Sequence, residues 1–210
     1  MAVKPTVESI VVPAPKIQHL ALRITGTSPY MQARFSQKAM AAILEKQMSG
    51  SRSKKGAKRE DRDPEADYRG AMHVSTEGWH GMPASAFRAA MISACRLVGF
   101  KMTLAKLSLF IEADGFDVVD GQPLVRIYGE PERVDMAARL PTGTFDIRIR
   151  PLWREWYADL RIAYDADQFS AQDVANLLAR VGMQVGIGEG RPDSRQSAGM
   201  GYGLFKIQEA

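Results

Sequence analysis

From Lys16 to Thr25 the residues sort with a period of two, Gln18, Leu20, Leu22 and Ile24 on one face and Ile17, His19, Ala21 and Arg23 on the other. A period of two is strand spacing, and the turn chemistry of Gly26 to Pro29 ends the strand. From Ser36 to Met48 the period changes: Ala39, Met40, Ile43, Leu44 and Met48 recur at three and four, which predicts a helix capped by Ser36. A short strand is expected around Ala71, then Gly81-Met82-Pro83. A second helix over Ala84 to Val98 carries Phe87, Ala90, Met91, Ala94, Cys95 and Val98 on one stripe and stops at Gly99. Leu104 to Glu112 alternates through Leu107, Leu109 and Ile111 as a strand, and Phe116 to Val119 with Leu124 to Tyr128 predicts a hairpin around Asp120-Gly121. Thr144 to Arg150 places Phe145, Ile147 and Ile149 inward and Asp146, Arg148 and Arg150 outward. Trp156 to Tyr164 repeats the alternation through Ala158, Leu160 and Ile162. Ser170, with Asp173 as capping partner, opens a last helix striped by Val174, Leu177, Leu178 and Val181 and stopped by Gly182. Met183 to Ile187 predicts a short strand, and Leu204 to Gln208 the final one.

One stretch has no such pattern. Gly50 to Arg69 holds no apolar residue larger than alanine before Tyr68, and its basic half precedes an acidic one. Such composition has nothing to bury, which predicts a flexible insertion (50–69) within a single domain spanning 1–210. Limited trypsin digestion is therefore expected to cut first between Arg52 and Arg62 and leave two associated fragments. Early cleavage elsewhere, with this segment intact, would mean that it is docked. The order of elements predicts an α+β fold, a ferredoxin-like or RRM-like antiparallel sheet with helices on one face and inserted loops. Another two-layer α+β fold of the same element order is the alternative.

Composition narrows the function. The 210 residues are 45% hydrophobic and 25% charged, which is globular. The lone Cys95 excludes an internal disulfide and a cysteine zinc cluster. No apolar run approaches the roughly 18 residues that a membrane helix needs, and Met1 to Pro15 does not read as a signal peptide, so a cytoplasmic protein with no membrane partner is expected. Gly186-Ile-Gly-Glu-Gly190 runs into Arg191-Pro192 rather than a helix and lacks a Walker lysine, so no mononucleotide site is predicted. His19, His73 and His80 are scattered, Cys95 sits on an apolar stripe, and Asp114, Asp117 and Asp120 read as turn formers. No catalytic set, metal site or cofactor follows from them.

The basic residues form a more coherent set. Arg148 and Arg150 share a strand face, Arg191 and Arg195 stand in the glycine-rich loop, and Lys54, Lys55, Lys58 and Arg59 crowd one arm of the insertion. Arginine binds phosphates bidentately or stacks on bases, and glycine admits a close backbone. A set of merely solvated charges is the bland alternative.

Val185-Gly-Ile-Gly-Glu-Gly-Arg-Pro192 and Gly199-Met-Gly-Tyr-Gly-Leu-Phe-Lys-Ile207 resemble the glycine-rich loop and last strand of the RAMP superfamily, the RRM-like proteins of CRISPR effector complexes. Leu22-Arg-Ile-Thr-Gly-Thr-Ser-Pro-Tyr30 is similar to the first strand and turn of that group. Ile147-Arg-Ile-Arg-Pro151, paired with the late glycine–arginine–proline loop, resembles a set of uncharacterised bacteriophage proteins. The resemblance implies a non-catalytic protein that binds single-stranded nucleic acid, RNA or DNA, and self-associates along the strand as a homo-oligomer or filament in a bacterial or phage-infected cell. It implies the insertion as a thumb and phosphate contacts from Arg148, Arg150, Arg191 and Arg195. Gly199, Gly201 and Gly203 would admit the strand, with Tyr202 or Phe205 as the stacking surface. The alternatives are a metal-independent endoribonuclease of the same fold using His73 or His80, and a phage structural or inhibitory protein that docks on a protein partner.

Overall fold

In the computed structural model, residues 12–48, 62–139, 143–194 and 199–208 are described. The first half of the chain runs β1 (Ile17–Gly26), β2 (Tyr30–Met31), α1 (Gln37–Met48), α2 (Pro64–Gly70), β3 (His73–Val74), β4 (His80–Pro83) and α3 (Ala84–Ala94). Then come α4 (Met102–Ser108), β5 (Leu109–Ile111), β6 (Gly115–Phe116) and β7 (Pro123–Arg126). The last part holds β8 (Pro131–Arg139), β9 (Phe145–Trp153), β10 (Tyr157–Asp165), α5 (Ala171–Arg180) and β11 (Phe205–Ile207). The class is α+β with antiparallel sheets.

The central sheet has the order β11-β1-β10-β5. The long β1–β10 pairing fixes its register, with Leu22 opposite Leu160 and Ile24 opposite Ala158. The period of two does what it predicts: Trp156, Ala158, Leu160, Ile162 and Tyr164 are all buried, while Tyr157 and Arg161 are exposed. On the buried face Phe87 and Met91 of α3, Leu178 of α5 and Phe205 of β11 complete one apolar cluster. Ser170 caps α5 through the full capping box with Asp173, an arrangement that contributes about 1 kcal/mol. Two smaller sheets, β2-β9-β8 and β3-β4-β7-β6, extend the body.

Several expectations are corrected. Leu104 to Ser108 is not strand: α4 occupies it, and only Leu109–Ile111 is extended. Ala105 and Ser108 are buried at a spacing of three while Leu107 is exposed, so the helical period wins over the apparent alternation. The Arg88 guanidinium secures the switch by donating to the carbonyls of Lys106 and Leu109. The helix of α3 tightens to a 3-10 turn at Cys95–Val98, and Gly99 ends it in the left-handed region as expected. Met183 to Val185 belongs to a π-helical turn, Val181–Val185, rather than to a strand. Gly182 does not stop α5; a Cβ there would lie 2.1 Å from the Phe205 carbonyl oxygen, so its role is close approach to β11.

The end of the expected insertion is also ordered. Asp63 accepts from the amides of Glu65 and Ala66 and Pro64 opens the first turn, which makes α2 a well-capped helix. Tyr68 anchors it by donating to the Pro131 carbonyl at 3.0 Å. Residues 50–61 lie outside the described residues. Among the described residues the outer half of β9 pairs only with β8, as a two-stranded ribbon; Phe145 and Ile147 are exposed, and Ile149 alone of the three faces inward. Helix α1 forms where the period places it, yet none of its residues is buried.

Candidate nucleic-acid interface

The glycine-rich segment folds back on itself after the π-helical turn. Its two arms are tied by bonds from Ile187 N to Gly203 O and from Met200 N to Gly190 O, at 3.1 and 2.7 Å. Bonds from Glu189 N to Met31 O and from Gly203 N to Pro29 O, at 2.9 and 2.7 Å, dock it on the chain after β1. The glycines have separate jobs. At Gly203, with φ +70, an added Cβ would lie 1.8 Å from the Ile187 carbonyl oxygen; at Gly201, with φ +74, it would meet open space. Gly199 resembles Gly203, since its Cβ would reach the Arg191 carbonyl.

A cleft of about 720 Å³ opens between this loop and α3. Ala86, Ala89 and Ala90 make a smooth wall on the helix side, and Gly186, Gly188, Glu189 and Arg191 line the other. Arg96, Lys106 and Asp193 line it as well. Asp193 accepts from the Ser93 hydroxyl, and this bond, ahead of Arg96, holds its carboxyl below the usual carboxylate range against a smaller opposing effect of burial. A depressed carboxyl stabilises the fold at neutral pH, and the contribution fades as the pH falls through about 4 and below.

Arg148 and Arg150 come from β9 and meet the cleft lining at Glu189. Both guanidinium groups ion-pair with Glu189, Arg148 at 3.4 Å and Arg150 through Nε. Arg191 donates from Nη1 to the Gly188 carbonyl at 2.9 Å. Arg96, Lys106 and Arg191 thus line the cleft, Arg96 paired with Asp193, while Arg148 and Arg150 meet it only at Glu189. Lys54, Lys55, Lys58, Arg59 and Arg195 lie outside the described residues. Tyr202 is partly exposed beside the loop, whereas Phe205 is 1% exposed and packs on Phe87 and Trp156, so it offers no stacking surface.

The three histidines have different surroundings. His19 is exposed and bonds through Nδ1 to Glu112 at 2.6 Å. His80 lies edge-on to Trp153, and burial lowers its pKa. His73 lines the cleft; its Nδ1 is 2.7 Å from Asp117 Oδ2. Arg34 sits 3.0 Å from Asp117 and 3.2 Å from Asp120. Ligand atoms of His73, Asp117 and Asp120 come within 4.8 Å of one another, a spacing that a cation could use. The Arg34 guanidinium already supplies positive charge to both carboxylates, which reads as a self-compensated network. Sequence reasoning placed Asp117 and Asp120 in a turn, which they do form, but their link to His73 and Arg34 spans dozens of residues and leaves no local signal.

A further cluster escaped the sequence reading. Tyr128 and Tyr157 stack with centroids 4.5 Å apart, Arg126 lies over Tyr128 at 5.0 Å, and Arg23 lies over Tyr157 at 4.9 Å. Bidentate pairing of Arg23 with Asp159 and mutual backbone bonds between the two tyrosines make it a clamp joining β10 to the chain after β7.

No protein-family model matches the chain, and no curated protein matches it. No helix among the described residues is long and apolar enough to cross a membrane.

Proposed function

We propose that this chain is a non-catalytic protein that binds single-stranded nucleic acid along the cleft between α3 and the glycine-rich loop. The observation that carries the reading is the set of cations Arg96, Lys106 and Arg191 that line the cleft, joined by Arg148 and Arg150 of β9, which ion-pair with the cleft's Glu189. Cations lining a groove neutralise phosphates and release counterions without reading sequence. The order β11-β1-β10-β5, with α3 and α5 on one face, supports a ferredoxin-like core, and with it the kinship to the RAMP superfamily that the glycine motifs suggest. Self-association is supported by α1, whose Met40, Ile43, Leu44 and Met48 are 47–80% exposed. An isolated helix of this length is marginal in water, so an apolar face is expected to find a partner. The cytoplasm of a bacterial or phage-infected cell is the setting proposed.

The endoribonuclease reading has one observation in its favour, the Asp117-oriented imidazole of His73 in the cleft. Acid–base cleavage needs a second group opposite the base, and neither His19 nor His80 lines the cleft. Two measurements test the proposal. Freshly purified protein is expected to carry nucleic acid, read as a raised ratio of absorbance at 260 to 280 nm. Hairpin RNA incubated with the protein in chelator is expected to stay intact; scission that disappears in a His73→Met variant would replace binding by catalysis.

A further inference from the structure

Asp193 stands on the glycine-rich side of the cleft, yet its carboxylate is bound by the helix side. It accepts from the Ser93 hydroxyl, and both of its oxygens lie 2.9 Å from Arg96 Nη2. Arg96 Nη2 also donates to Ser93 Oγ at 2.6 Å. A guanidinium can only donate, so the hydroxyl accepts from Arg96 and turns its own hydrogen to the carboxylate. The Asp193 amide donates to the Val185 carbonyl at 3.1 Å, which keeps the main chain on its own side. The side chain therefore ties the glycine-rich segment to the C-terminal end of α3 across the cleft.

A hydroxyl and a guanidinium that converge on one anion suit two phosphate oxygens as well as they suit a carboxylate. Arg191 adds to the positive field at Asp193, and Lys106, which lines the same cleft, has no ion-pair partner among the described residues. The tie is also exchangeable. The Arg96 and Asp193 side chains are 57% and 34% exposed, and water and salt screen a pair of that kind, which leaves it weak. We propose that Ser93 and Arg96 form a phosphate subsite of the cleft, which Asp193 fills in the unbound protein and from which a phosphate of the incoming strand displaces it. The proposal rests on the binding reading above. Asp193 is then an internal competitor, and its release unties the glycine-rich segment from α3 as the strand is taken up.

The test is a double-mutant cycle read by the binding of one unstructured oligonucleotide at low salt. Asp193→Asn keeps an oxygen for the Ser93 hydroxyl but removes the competing charge, and is expected to bind roughly three- to tenfold tighter than wild type. Arg96→Gln is expected to bind roughly fivefold weaker, with the slope of log K against log salt flatter by about 0.7, one phosphate contact. In the Arg96→Gln background the gain from Asp193→Asn is expected to shrink below about twofold, because the two anions compete for that one guanidinium. A gain of the same size with and without Arg96 is a long-range charge effect and overturns the proposal, as does unchanged affinity in folded Asp193→Asn. Where Asp193→Asn folds poorly, Arg96→Gln decides alone, and an unchanged salt slope there overturns the proposal. These outcomes leave cleft binding standing. Failure of the wild type to bind the oligonucleotide overturns the cleft reading and this proposal together.

Discussion

Gly203→Ala is expected to lower the melting temperature by roughly 10 °C or to prevent folding. The new Cβ would overlap the Ile187 carbonyl oxygen at 1.8 Å, in a backbone conformation, φ +70, that alanine adopts only with strain. Neither atom can move alone. Gly203 N bonds Pro29 O and Gly203 O accepts from Ile187 N, so the clash spreads to the end of β1 and to the start of β11. A loss of about 3 kcal/mol or more, in a chain of this length, corresponds to that temperature shift. Gly201→Ala is the matched control: the same left-handed strain with open space around the Cβ should cost about 1 kcal/mol, or a few degrees. Equal melting temperatures for the two variants, by calorimetry, would mean that the loop relaxes freely. Gly201 faces no neighbour among the described residues, so its substitution also asks whether a strand runs past that point.

The second large effect concerns the arginine pair. Replacing Arg148 and Arg150 together by alanine is expected to weaken oligonucleotide binding roughly tenfold or more at low salt. The slope of log K against log salt should flatten by roughly one to two units, at about 0.7 for each single-strand phosphate that is no longer neutralised. Folding should survive, because among the described residues Arg148 and Arg150 ion-pair with Glu189 alone and the core-facing residue of that segment is Ile149. Glu189→Gln should act in the opposite direction. It removes the carboxylate that both guanidinium groups share and keeps the Glu189 amide bond to Met31. Affinity should rise roughly three- to fivefold at low salt, the effect fading as salt screens the cleft. A pair of variants with opposite signs separates an electrostatic site from a merely structural ion triad, in which both changes would leave binding alone and lower stability.

The elements legible in the sequence are those whose signals are local. The Ser170–Asp173 box, the left-handed stop at Gly99 and the period-two strand from Trp156 to Tyr164 each declare themselves within a dozen residues. Helix α2 had a local signal too, Asp63-Pro64, but the charge-rich composition around it pointed to loop. The strand expected at Leu104 failed because a short apolar run fits either period, and the deciding bonds come from Arg88 some twenty residues away. Phe145 and Ile147 alternate as a buried strand would, yet nothing in their pattern tells that β9 leaves the body as a ribbon. The site itself was half visible. Arg148, Arg150 and Arg191 stood out by type; that Glu189 binds two of them, and that Asp117 orients His73 over the same cleft, are long-range facts without a sequence period.

Fluorescence anisotropy of a labelled single-stranded RNA, titrated with the protein from low to physiological salt, tests the central claim most directly. The account predicts binding whose log K falls linearly with log salt, with a slope reporting several phosphate contacts, steeper for wild type than for the Arg148→Ala, Arg150→Ala protein. Binding that ignores salt, a slope unchanged by removal of both arginines, or no binding at low salt would contradict it.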